Sequence, residues 1–372
     1  MTMHHKDNNR LKGRHTVLAG LLTTSIVLFG ACSKHSSSSA GAGRTYRMGF
    51  MSSAPRPDFN LYIQSLDLWT THSDATIIST ELPWDSLLNG ENPAAYVVNN
   101  YLGFVNYCRS INLKLWVYID PANGLDRASD ALPLVAMGRS ISEPAIQQVY
   151  RRFVVVMDSI LHPDHLGLAL ETNLIRLAAP ASIYQGVRTA ANAAATDVRA
   201  IDPHVPLSIS IQAEVAWGKL NGSGAFVGVA QDFTDFPFLQ ELGISSYPYL
   251  SFSTPAAIPT NYYSQLVADH AMPVFVSEGG WTSGNFSVNG SSISGSPTQQ
   301  AAYIQRQGQL LAQAKGIGLF QLTFTDLDLP AWPAADSAGL VPFAFLGVVD
   351  SNFAPKPALA AWDSLKAKPL SP

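Results

Sequence analysis

Six acidic residues stand where short apolar runs end: Glu81, Asp120, Glu171, Glu214, Glu278 and Asp326. Only 13% of the 372 residues are charged, against about 25% in an average soluble domain. An ionised carboxylate beside packed apolar structure is costly unless it has a partner or a task. For Glu81, Glu214 and Asp326, a helix cap or an ion pair explains the residue as well as chemistry does; for Asp120 it does so slightly better. Glu171 and Glu278 stand apart. Glu171 closes the run Gly167-Leu168-Ala169-Leu170 and is followed by Thr172-Asn173. Glu278 closes Val274-Phe275-Val276-Ser277 and is followed by Gly279-Gly280-Trp281. Two glycines let the backbone turn sharply and approach a ligand, and an indole offers a flat face for a sugar ring. Two carboxyls bracketing one bond are what glycoside hydrolysis requires: one protonates the leaving oxygen, and the other attacks the anomeric carbon or activates water.

Competing chemistries have weaker support. There is no Gly-x-Ser-x-Gly elbow, phosphate loop or Cys-x-x-Cys pair. His162-Pro163-Asp164-His165 has the residue types of a metal cluster, but it precedes an apolar run and reads as a loop. No set of His and Asp occurs at the ends of the apolar runs, so neither a metal nor an organic cofactor is expected. Trp84, Trp217, Trp332, Tyr249, Tyr262 and Tyr263 fall after such runs or close by. Each suits packing under a loop better than stacking on sugar, with Trp84 and Trp281 the best placed to stack.

The elements that would position these residues follow from periodicity. Continuous apolar or β-branched runs at 46–51, 76–80, 113–119, 166–170, 207–211, 244–246, 274–277 and 317–323 read as strands buried on both faces of a parallel sheet. Between them lie stretches of helical period, among them 94–111, 183–201, the segment opened by Ser296-Pro297, and 356–367. Eight strand–helix units predict a single (β/α)8 barrel over 45–372. A doubly wound sheet is disfavoured, because no glycine-rich turn follows a strand where such folds bind nucleotides. In a barrel the fourth and seventh strands lie far apart around the ring, so Glu171 and Glu278 can face each other across its mouth. Long loops at 120–141, 279–296 and 326–353 are expected to wall a cleft there.

The beginning of the chain reads differently. Lys6, Arg10, Lys12 and Arg14 precede an apolar stretch over 17–31, too short for a spanning helix and flanked as a secretory signal. Small residues stand directly before Cys32, and a Ser/Gly-rich run follows. Residues 1–31 are therefore expected to be a lipoprotein signal peptide, with Cys32 acylated and 32–44 a flexible tether. An ordinary signal cut near Ala31 is the alternative. Membrane attachment would be through the lipid only, at the outer membrane or cell surface of a bacterium. Without residues 1–31 the net charge is −7 rather than −4, which disfavours nucleic acid and other anionic polymers as partners. Cys108, the one cysteine left free once Cys32 is acylated, reads as a small buried hydrophobe.

On these residues the sequence resembles the retaining β-glycosidases of glycoside hydrolase clan A. Ser277-Glu278-Gly279-Gly280-Trp281 is similar to the nucleophile segment of plant-type β-1,3-glucanases and of family 53 endo-β-1,4-galactanases. Glu171-Thr172-Asn173 resembles the galactanase acid/base segment, and Ser246-Tyr247-Pro248-Tyr249 its strand 6 motif. Gly347-Val348-Val349-Asp350 with Pro355-Lys356-Pro357-Ala358 and Trp362 resembles the closing segment of such barrels. The resemblance implies a monomeric glycosidase acting on a neutral β-linked polysaccharide, with Glu171 as general acid/base, Glu278 as nucleophile and Tyr247 hydrogen-bonded to Glu278. Two family features are missing. Leu170 stands where the clan has an Asn that binds the sugar 2-hydroxyl, and the second strand carries no Arg. Gln212, Asn173 or Glu81 could take over those contacts, with Asp120, Trp84 and Trp281 as further substrate-binding residues. A barrel that binds glycan without turning it over is the alternative.

Overall fold

The computed structural model describes residues 43–371 apart from Asn221 and Asn289. The expected signal peptide, Cys32 and nearly all of the tether lie outside the described residues. Arg44, assigned by sequence to the end of the tether, is buried and ion-paired to Asp74, so the folded domain already includes it.

Eight parallel strands close into one barrel: Arg47–Met51, Ala75–Glu81, Lys114–Asp120, His165–Gly167, Leu207–Gln212, Glu241–Ser246, Val274–Gly279 and Gly318–Gln321. All eight overlap the predicted runs, the sixth beginning three residues earlier than expected, at Glu241. The fourth is shorter than expected, ending at Gly167, although Leu168 and Ala169 still exchange backbone hydrogen bonds with Ser208 and Ser210 of the fifth strand. Among the helices, Ala181–Ile201 and Pro297–Ala314 match their predicted stretches, and Ser296 caps the latter through Gln299 N at 3.2 Å. Pro357–Lys366 packs beside Pro297–Ala314 and completes the ring. The loop after the seventh strand carries a small hairpin, Phe286–Val288 with Ser291–Ile293.

Strand alternation divides the apolar residues between two layers. Trp116 and Tyr118 point into the barrel with Ala75, Ile77, Leu170, Phe275 and Phe320, whereas Leu115, Val117 and Ile119 face the surrounding helices. Tyr118 spans the interior and bonds Ser208 Oγ at 2.9 Å. It needs glycine at two positions: a Cβ on Gly167 would lie 2.2 Å from its ring, and one on Gly243 would lie 2.3 Å from its hydroxyl. At the base, His165 stacks on Trp116 and meets Glu241, while Asp164 holds Lys114 and the amide of Leu115. These partners give the His162–His165 segment a structural role. Cys108 is buried, and burial pushes its thiol up to about 12.

Candidate active site

The mouth of the barrel, at the C-terminal ends of the strands, opens into a cleft of about 350 Å³. Its walls come from the loop after the third strand (Gly124, Leu125, Arg127) and the loop after the eighth (Leu327, Trp332, Leu340, Phe343), with Tyr247 between. The hairpin loop after the seventh strand, expected as a third wall, contributes none of its described residues to the lining. Phe286 instead packs edge-on against Tyr249.

Glu171 and Glu278 both line this cleft and both are brought to one point. Ser245 Oγ lies 2.5 Å from Glu171 Oε1 and 2.9 Å from Glu278 Oε1, which keeps those two oxygens within about 5.4 Å of each other. Carboxyls of retaining glycosidases stand about 5–5.5 Å apart, and those of inverting enzymes about 6.5–9.5 Å.

Local backbone features aim each side chain. Glu171 has left-handed backbone angles, φ 49° and ψ 44°, a conformation of the kind found where surrounding structure over-determines a functional residue. Its amide donates to Ser210 Oγ at 2.9 Å. Thr172 bonds Asp232, while Asn173 accepts from the amide of Gln212 and donates to its carbonyl. Thr172 and Asn173 thus brace the turn that carries Glu171. On the other side, Ile244 pairs with Val276 but Ser245 with Glu278, leaving Ser277 as a bulged residue without a partner. A bulge changes the facing of the residues beyond it, and here it puts Ser245 and Glu278 side by side. Gly279 then takes φ 153°, and a Cβ there would meet Ser246 O at 2.3 Å. Gly279 is thus explained by the sixth strand beside it, and Gly280 by the side chain of Gln321 on the eighth, 2.6 Å from where a Cβ would lie.

Sequence reasoning missed Arg127. It is buried and donates from Nε to Glu171 Oε2 at 2.8 Å, and from Nη1 to Asp120. Burial alone would loosen its proton, but the two carboxylates outweigh burial and hold it charged. The only signal was a cation in the long loop after Asp120 in a chain poor in charge. Glu278 has no such partner. Burial first, then the charge of Glu171, pushes its carboxyl up to about 7. Tyr247 hydrogen-bonds Glu278, and its phenol is raised by burial and by the nearby carboxylates.

The other predicted residues separate clearly. Glu81 lines the cleft, accepts from the amide of Gly124 at 2.5 Å and is raised by burial. Asp120 lines it too, but as the ion-pair partner of Arg127, the role its sequence position slightly favoured. Four expectations need correction. Trp281 is 1% exposed, packed between Tyr249 and Tyr303, and Trp84, the first residue of a short helix, is fully buried; neither offers a face to a ligand. Asn173 and Gln212 are buried in the brace and line no part of the cleft: Gln212 donates to Glu214 and accepts from Val215 N. Trp332, half-buried in the eighth loop, is the indole at the cleft. Glu214 and Asp326 are structural, the latter paired with Lys356 at 2.7 Å.

No family model and no curated protein matches the chain. Solved structures do resemble it. An exo-β-1,4-mannosidase from Opitutaceae bacterium strain TAV5 aligns with TM-score 0.65 at 14% identity, over 88% of this chain and 60% of the mannosidase. A GH5_18 protein from Bifidobacterium longum subsp. longum ATCC 55813, in complex with Manb1-4GlcNAc, aligns with TM-score 0.58 at 13% identity, over 88% and 80% of the two chains. A GH1 β-glucosidase from Exiguobacterium antarcticum B7 aligns with TM-score 0.58 at 10% identity, over 82% and 85%. At these identities the likeness establishes the barrel fold. The chain spans 60% of the mannosidase's length.

Proposed function

We propose that this chain is a retaining glycoside hydrolase acting on a neutral β-linked glycan. The observation that carries the reading is the meeting of Glu171 and Glu278, from opposite sides of the barrel mouth, on one serine hydroxyl within a cleft. In the first step Glu278 attacks the anomeric carbon while Glu171 gives its proton to the departing glycosidic oxygen. In the second, Glu171 takes a proton from water, whose oxygen displaces Glu278 and restores both groups. No further reactant is required.

The lining supports a neutral substrate. Among the described residues that form it, Arg127 is the sole cation and is already engaged, against the carboxyls of Glu81, Asp120, Glu171 and Glu278. Buried hydroxyls without a protein partner, Thr323 Oγ1 and Ser53 Oγ, line the same cleft and suit sugar hydroxyls. The galactanase-like motifs nominate β-1,4-galactan, the glucanase-like segment β-glucans, and the solved mannosidase and glucosidase nominate β-mannosides and β-glucosides. Export as a lipoprotein through Cys32 belongs to the same reading and would place the enzyme where polymeric glycan is met. Replacement of Cys32 by Ala should then release the protein from membranes.

The test is hydrolysis of a panel of aryl β-glycosides and β-linked polysaccharides by the full chain and by Glu278→Gln. Activity on one neutral substrate, lost in the variant, supports the proposal; activity that survives the substitution defeats it. Leu170 in the place of the sugar-binding Asn favours a second reading, a glycan-binding barrel without turnover. Its signature is binding by the full chain without hydrolysis of any panel member.

A further inference from the structure

The two glutamates share one hydroxyl, and a hydroxyl has one proton to donate. Ser245 Oγ is within hydrogen-bond distance of Glu171 Oε1 (2.5 Å) and of Glu278 Oε1 (2.9 Å), and Ser245 is wholly buried. Two hydrogen bonds through one hydroxyl oxygen therefore need a second proton, supplied by one of the carboxyls. Arg127 decides which. Its guanidinium keeps its charge in proteins and donates to Glu171 Oε2 at 2.8 Å, so Glu171 is the carboxyl held as the anion. The groups facing Glu278 are different: the carboxylate of Glu171 after the fourth strand, Asp120 and the Tyr118 phenol from the third, and Tyr247 from the end of the sixth, with Arg127 acting on it only at longer range. None of these is a cation in contact with it.

We infer that Ser245 is a proton bridge between the two carboxyls, with Glu278 donating to Ser245 and Ser245 donating to Glu171 in the ligand-free protein. This rests on the proposed double displacement for its use, but the resting order of protons does not. Hydrolysis needs the reverse arrangement, with Glu171 as the acid and Glu278 ionised. The bridge provides it in one concerted step. The Glu278 O–H bond breaks as its proton passes to Ser245 Oγ, and the proton of Ser245 passes to Glu171 Oε1. The serine hydroxyl is restored, one proton has crossed, and the negative charge has moved from Glu171 to Glu278. Arg127 favours the resting order, so a sugar that draws Arg127 away from Glu171 makes the step easier. Ser245 acts through the glutamates and is a positioning residue, not a catalytic one.

The test is infrared difference spectroscopy on the full chain at mildly acidic pH, joined to kinetics on an aryl β-glycoside that the protein hydrolyses. Of the buried protonated-carboxyl bands, to which Glu214 and Asp326 also contribute, one should disappear in Glu278→Gln, and that same band should move in Ser245→Ala, which removes its acceptor. A spectrum from which Glu278→Gln removes no such band, or in which Ser245→Ala leaves that band unmoved, overturns the bridge. In kinetics, Ser245→Ala should lower kcat by about 10²-fold, the low end for loss of general acid–base assistance, with KM little changed and the alkaline limb of the pH profile displaced. Ser245→Thr, which keeps the hydroxyl, should restore both. If Glu278→Gln abolishes hydrolysis while Ser245→Ala matches the unaltered protein in kcat and pH profile, the bridge fails and the glycosidase reading stands. If the spectra behave as expected but Glu278→Gln still hydrolyses the glycoside, the glycosidase reading fails and the bridge stands.

Discussion

Two buried glutamates, Glu278 at the barrel mouth and Glu214 in the corner after the fifth strand, are both pushed up to about 7, in each case chiefly by burial. Consecutive residues of the sixth strand serve them. Ser245 bonds Glu171 and Glu278, while Ser246, on the opposite face, approaches Glu214 at 3.4 Å. The surroundings then diverge. Glu214 accepts from Tyr262 at 2.8 Å, from the amide of Tyr247 at 3.1 Å and from Gln212 at 2.5 Å, and it lines no part of the cleft. Glu278 lines the cleft, opposes a second carboxylate and shares that carboxylate's only serine. A raised carboxyl is thus common to both regions. What distinguishes the mouth is a cavity and an incomplete set of partners, the state in which a proton can be moved.

Substitutions should widen this contrast, beginning with the largest effect. Glu278→Gln should lower kcat/KM by at least about 10³-fold, as loss of a group acting in concert with others does, with the melting temperature maintained. Glu214→Gln should leave kcat/KM within about tenfold and lower the melting temperature instead. Steady-state kinetics beside calorimetry reads both, and similar kinetic losses in the two variants would erase the distinction. Arg127→Met should destabilise the fold by about 3–5 kcal/mol, because it leaves Asp120 and Glu171 buried without their cation; denaturant titration measures it. Trp281→Ala should cost about 3–5 kcal/mol as a core truncation. Trp332→Ala should raise KM with little change in denaturation midpoint, which would identify the aromatic that meets substrate.

The smallest effect is on stability against pH. Glu278 and Glu214 have folded-state values raised above those of the unfolded chain, so each contributes stability that is fully present below the unfolded value. That contribution is lost as pH rises through about 7. The melting temperature should therefore decline from mildly acidic to mildly alkaline pH. Glu214→Gln and Glu278→Gln should each flatten the decline, as scanning calorimetry at several pH values would show.

The barrel was legible because eight short apolar or β-branched runs alternate with stretches of helical period, and because the intervening stretches carry caps such as Ser296. Among the six strand-end acids, Glu171 and Glu278 were legible through the residues that follow them, Thr172-Asn173 and Gly279-Gly280-Trp281. The aromatic contacts were not. Trp281 follows Glu278 directly, and an indole there serves equally as a platform or as a plug between Tyr249 and Tyr303, a choice made by loop packing. Asn173 and Gln212 look like ligand residues by type, yet they bond one another's turns. Arg127 and Ser245 were hidden for a different reason. Their meaning lies in partners 44 and 74 residues from them in sequence, both at Glu171, and the facing of Ser245 beside Glu278 depends on a bulge that hydrophobic pattern does not record.

If Glu171 and Glu278 hydrolyse a β-glycoside by double displacement, the released sugar keeps its anomeric configuration. Proton NMR of the sugar released during the first minutes of hydrolysis tests it most directly. Double displacement requires that the β-anomer form first and then mutarotate. Initial release of the α-anomer would contradict it.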